Sequence, residues 1–193
     1  MRRIWKLDTG RLWVWTLREK AYSAQEKEME QNQLLPAELL IPQRLRMRLI
    51  DWVKKPAQNG LHAETTVTET WPLNRDGRVS SIICIELVAQ AVAALNTCRR
   101  GEGAKPRAGL LVGIKEAEFS RSSIPVMTKL TIQIEELYHV GDYAVFKGKV
   151  NSESASLCET IIQVVEPEKE TLSNLVISQR INSRKNEREN GGL

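Results

Sequence analysis

The chain has 193 residues, 41% of them hydrophobic and 27% charged, and a formal net charge of +4. Those proportions exclude a disordered tail or a collagen-like repeat and suit one compact core with extensions. The three cysteines, Cys84, Cys98 and Cys158, have no paired spacing, which argues against a disulfide framework or a zinc ribbon and for a cytoplasmic protein.

Residues 1–33 set Trp5, Trp13 and Trp15 among charges and continue in a polar run from Ser23 to Gln33. No sustained apolar stripe runs through them. They are expected to form an N-terminal extension, helical or loosely ordered. The tryptophans suit either a membrane surface or the edge of the domain. No apolar run reaches the roughly 20 residues that span a bilayer, so a membrane partner is not expected.

The compact domain is expected over 34–167. Leu49–Val53 reads as a short strand. His62–Thr70 alternates partly and carries four threonines, and reads as a longer strand. From Ile82 to Leu95 the chain is apolar on nearly every face, without Gly or Pro. That pattern predicts a buried central helix, with Ser80 or Ser81 as its cap and Arg99 and Arg100 in its last turn before Gly101. Thr128–Leu137, Tyr143–Val150 and Leu157–Val165 are strands separated by the turn signals His139-Val140-Gly141-Asp142 and Asn151-Ser152-Glu153-Ser154. Consecutive strands on short loops imply an antiparallel sheet, and one buried helix on such a sheet is an α+β fold. From 168 to 193 the sequence is rich in Asn, Ser, Arg, Lys and Glu, and is expected to be a partly disordered polar tail.

Two polar residues interrupt the central helix. Glu86 and Gln90 are four apart and share a face. A carboxylate in apolar surroundings is costly to bury and is a candidate proton donor or acceptor, with Gln90 placed to hold its rotamer. The alternative is that both face solvent or cap loop backbone. His62 and His139 fall in a strand and a turn, where an ordinary structural role is expected. No Asp, Glu, His or Cys group has metal spacing, and Gly101-Glu102-Gly103 lacks the strand-loop-helix order of a phosphate cradle, so neither metal nor cofactor is expected. Interspersed charges and few aromatics argue against nucleic acid.

The string Ile85-Glu86-Leu87-Val88-Ala89-Gln90-Ala91 resembles the central-helix motif of hotdog-fold 3-hydroxyacyl-(acyl carrier protein) dehydratases, Glu followed by two variable residues and Ala-Gln-Ala. Ile41-Pro42-Gln43-Arg44 leading to Leu49-Ile50-Asp51-Trp52-Val53 resembles the family's opening. Gly109 to Phe119 resembles its strand ending in Lys-x-x-Lys-Phe, and Pro125 and Leu130 its Pro-Gly-Asp-x-Leu. The resemblance covers about 34–167 in consistent order. It implies a single hotdog domain, in which an antiparallel sheet wraps a long central helix.

Three departures bear on activity. The family's opening His falls on Gln43, its catalytic His on Pro72, and its Pro-Gly before the helix on Ser80-Ser81. In the family, the His and the helix carboxylate divide the removal of a proton beside the thioester carbonyl and the protonation of the leaving hydroxyl. Here Glu86 stands without that partner; Asn74, Asp76, water or a second chain are the replacements open to it. Three readings follow: a dehydratase with a rearranged site, a non-catalytic hotdog subunit that pairs with an active homologue, and a thioesterase using Glu86. The resemblance further implies a homodimer or a heterodimer with a hotdog homologue, and an acyl carrier protein as partner. Such carriers are strongly acidic. Arg44, Arg46 and Arg48 would share one face of an extended backbone and are the expected docking residues. Arg99, Arg100, Lys105 and Arg107 form a second basic cluster; a solvated surface is the alternative for both.

Overall fold

The computed structural model describes residues 34–54, 56 and 60–166. The expected N-terminal extension and polar tail lie outside the described residues. The elements in chain order are β1 (Leu34–Pro36), β2 (Trp52–Lys54), β3 (Gly60–Thr66), β4 (Asn74–Arg75), β5 (Arg78–Ser80), α1 (Ile83–Arg99), β6 (Leu110–Phe119), β7 (Ser123–Pro125), β8 (Lys129–Val140), β9 (Tyr143–Ser152) and β10 (Ser156–Val165). Short 3₁₀ turns lie at Ala37–Leu39 and Leu45–Met47. None of the described helices is long and apolar enough to cross a membrane.

Seven strands form one sheet in the order β1-β2-β3-β8-β9-β10-β6, with neighbours antiparallel. The meander β8-β9-β10 follows from alternation. Leu130, Ile132 and Ile134 of β8 are buried while the residues between them are exposed, so that face is the inner one. Gly141 and Asp142 close the β8–β9 hairpin, and Gly141 takes φ 57°, which a glycine adopts without steric penalty.

Helix α1 lies on the inner face and touches β3, β8, β9 and β10. Leu87, Val88, Ala91 and Leu95 meet Ile132, Phe146, Val150, Leu157 and Ile162 in one core cluster. The approach is closest at Gly148 of β9, where a Cβ would stand 2.4 Å from Val88 Cγ1. Gly148→Ala is therefore expected to destabilise the fold by about 1–3 kcal/mol through overpacking, read as a lower urea midpoint. Cys84 of α1 and Cys158 of β10 are free thiols in this core. The contact with Cys158 and burial push the Cys84 thiol up, so it behaves as a small apolar side chain rather than a nucleophile.

Three expectations are corrected. Neither Ser80 nor Ser81 caps the helix: Ile82 holds that position and makes no side-chain cap bond. Ser80 closes β5, and the Ser81 backbone N–H is drawn to Ser122 O at 2.9 Å, which ties the residue to the loop before β7. The residues Arg44–Arg48 are not extended, because Leu45–Met47 form a 3₁₀ turn and Leu45 takes φ 54°. Finally, α1 is not buried all round. Ile85, Glu86, Ala89, Ala93 and Asn96 are half-buried and Ile82 is exposed, so one face is left open in the single chain.

Beside the start of α1, β4, β5 and β7 make a second, three-stranded sheet. Pro72, on which the resemblance places the family's catalytic histidine, lies in the turn just before β4.

Candidate active site

Glu86 lies on the open face of α1, and Gln90, one turn further along the helix, is the better anchored of the two. It is fully buried and uses both ends of its amide. Its Oε1 accepts the Leu49 backbone N–H at 2.9 Å, and its Nε2 donates to Met47 O at 2.7 Å and to Glu86 Oε1 at 2.8 Å. Gln90 therefore pins the 3₁₀ turn to the helix, and from the same amide fixes one carboxylate oxygen of Glu86. The alternative weighed from the sequence, that these residues cap loop backbone, is what Gln90 does. Glu86 stands in the first turn of α1, where the helix dipole favours negative charge.

Glu86 opens on a cavity of about 240 Å³. Its apolar wall comes from Ala89 and Ala93 of the helix and from Leu110 and Leu111 of β6; its polar groups include Gln43 and Arg107. Gln43 Oε1 is buried and has no hydrogen-bond partner among the described residues. A buried acceptor left unpaired costs free energy, and in a cavity that also holds a carboxylate it is a place for a ligand donor. The side of the cavity formed by β6 is the edge of the sheet. β6 pairs with β10 on one side, and no described strand pairs with the other. Leu110, Leu111, Val112 and Ile114 on it are all exposed. A long apolar edge strand beside an open helix face has the character of an interface.

The comparisons with known proteins agree on the fold and settle the family. The model of the ApeP-like family, described as ApeP dehydratase, matches residues 35–176. This chain belongs to the ApeP-like family. In fold, the ApeP-like chain is similar to a solved structure titled the dehydratase heterocomplex ApeI:P from Xenorhabdus doucetiae, with 23% identity over 75% of this chain and 99% of that one and a TM-score of 0.66. It is also similar to an uncharacterized protein, PH1136, from Pyrococcus horikoshii, with 18% identity over 72% and 98% of the two chains and a TM-score of 0.52. A virulence protein of Campylobacter jejuni, Cj0977, gives 15% identity over 69% and 87% and a TM-score of 0.52. No curated protein matches. The expected α+β hotdog architecture is the one observed.

Apart from Gln43 and Arg107, the residues singled out in the sequence do not gather at Glu86. In the ApeP-like chain His62 lies on β3 and His139 on β8, and neither lines the cavity. Asn74 donates to Glu69 O at 2.7 Å and Asp76 sits in the β4–β5 turn, both away from the cavity wall. Of the arginine trio, Arg44 is committed to the carbonyls of Ile41 and Gln43 at 2.5 and 2.8 Å, and Arg48 to Glu38 at 2.7 Å. Arg46 is exposed and has no ion-pair partner among the described residues. Of the second cluster, Arg99 pairs with Glu136 and Arg100 with Glu166, while Arg107 joins the Glu86 cavity. The sequence marked Gln43 only through its alignment with a family histidine. Nothing local signalled that it would share a cavity with Glu86.

Proposed function

We propose that this chain is the Glu86-bearing subunit of a hotdog dehydratase that acts on 3-hydroxyacyl thioesters carried by an acyl carrier protein, and that a hotdog homologue supplies the second acid/base group. The observation that carries this reading is a carboxylate held by Gln90 in a cavity that no described histidine lines, opening beside an unpaired apolar strand edge. Dehydration moves a proton from the carbon beside the thioester carbonyl to a base, and delivers another to the hydroxyl as it leaves as water. Two positioned groups are needed, and Glu86 is one. The family description and the heterocomplex formed by the Xenorhabdus protein support a dehydratase and a heteromeric assembly.

In this reading β6 pairs with the partner's edge and the open face of α1 is covered, so the substrate cavity is completed at the interface. Val112→Lys, which sets a charge on the exposed edge, is expected to weaken association with the homologue at least tenfold in sedimentation or light scattering, with the monomer still folded. Unchanged association would remove β6 from the interface. Arg46 is the informative member of the docking trio: Arg46→Ser is expected to weaken carrier binding and its salt dependence, while undiminished binding across salt would end the docking role.

A further inference from the structure

A second cavity, of about 510 Å³, lies at the start of α1. Its wall includes Arg75, Arg78, Ser80, Ile82, Ser122 and Ser123. Arg75 and Arg78 are directly opposite one another on the β4–β5 hairpin. Directly opposed residues of an antiparallel pair project to one face, and like charges there repel. The hairpin turn also holds Asp76 at φ 51° in the left-handed region, where a non-glycine residue is uncommon. Neither arginine is within ion-pair distance of a carboxylate among the described residues, Asp76 included. Arg78 is not loose: its Nε donates to Ser123 Oγ at 2.9 Å, which fixes the guanidinium. Ser81, between two wall residues, is 2% exposed and its hydroxyl has no hydrogen-bond partner among the described residues.

Two guanidinium groups brought together without a counter-charge, among serine hydroxyls, form a receptor for an anion. A carboxylate fills one arginine fork in one plane. A tetrahedral phosphate presents oxygens in several directions and can engage two forks and hydroxyls together. The wall also has an organic character, because Leu73 and Ile82 beside the arginines are exposed. Ile82 is four residues before Glu86, so this cavity and the Glu86 cavity open along one side of the helix.

We propose that the Arg75–Arg78 cavity binds the phosphate of a phosphopantetheine arm, and so favours thioesters borne on that arm. The proposal rests on the thioester reading above. The arm occurs on an acyl carrier protein and in coenzyme A, and the test separates the two.

The full chain, in the assembly in which it purifies, is titrated calorimetrically with 4′-phosphopantetheine, pantetheine, inorganic phosphate, coenzyme A and a phosphopantetheinylated carrier protein. Phosphopantetheine is expected to bind at least about tenfold more tightly than pantetheine. In the Arg75→Ser/Arg78→Ser double variant that advantage is expected to vanish, with pantetheine binding retained and no fall in Tm, since a repulsive exposed pair has been removed. Arg121→Ser removes a nearby exposed charge that does not line the cavity, and should retain the advantage. Tight binding of the carrier protein with weak binding of coenzyme A assigns the arm to the carrier; the reverse assigns it to coenzyme A. Equal binding of phosphopantetheine and pantetheine overturns the site. So does an advantage that survives in the double variant, or is lost equally in Arg121→Ser. If inorganic phosphate binds in an Arg75- and Arg78-dependent way but no pantetheine-bearing probe does, the anion site stands and the thioester reading falls. If no probe binds, both fall.

Discussion

Gln90→Leu is expected to lower stability by about 2–4 kcal/mol while changing side-chain volume little. The substitution deprives the buried Leu49 N–H of its acceptor and the Met47 carbonyl of its donor, and it frees Glu86. A buried donor left without a partner costs about 1–3 kcal/mol, and the partly exposed carbonyl adds a smaller amount. The loss should appear as a lower urea midpoint with an unchanged slope, because the denatured chain is the same size. Activity should fall as well, since the 3₁₀ turn and the carboxylate lose their common anchor. A change below about 0.5 kcal/mol would mean that the turn is held by something other than Gln90.

Glu86→Gln separates chemistry from scaffolding. The replacement keeps an oxygen that can accept from Gln90 Nε2, so the fold should hold within about 0.5 kcal/mol. The lost proton-transfer group should cost about 10²–10⁴ in kcat with KM little changed. Full turnover in this variant would place the chemistry entirely on the partner and leave this chain as its non-catalytic companion. Loss of the acyl group in place of water in the wild type would make it a thioesterase.

The main body of the fold was legible because its signals are local. The run from Ile82, apolar on nearly every face and without Gly or Pro, marked the helix, and the alternation of Leu130, Ile132 and Ile134 with their turn marked the meander. The helix ends at Arg99, in the last turn expected for it. Its open face was not legible. Ile82, Ile85, Ala89 and Ala93 are as apolar as core residues, and a face that awaits a partner reads like one already buried. The strands β4, β5 and β7 are too short to show a period. The bend at Leu45 has no glycine to announce it. That residue is 93% exposed with φ 54°, a conformation imposed by the surrounding structure and not by its own propensity.

The candidate site divides in the same way. Glu86 and Gln90 could be paired from their spacing along one helix. The backbone partners of Gln90 lie 41 and 43 residues away in sequence, and the cavity shared with Gln43 and Arg107 exists only once the sheet has closed. The arginine trio looked like one basic face, yet two of its members are spent on the fold itself. Arg75 and Arg78 are separated in sequence by an acidic residue and a glycine, and only the hairpin sets them opposite each other.

The most direct test of a shared active site is the intact mass of a 3-hydroxyacyl carrier protein after incubation with this chain, with its hotdog homologue, and with the two together. Rapid loss of one water from the acyl group is expected with the mixture, little with either protein alone, and a large slowing when the mixture carries Glu86→Gln. Equal dehydration by the homologue alone, indifferent to this chain and to Glu86, would contradict a shared active site.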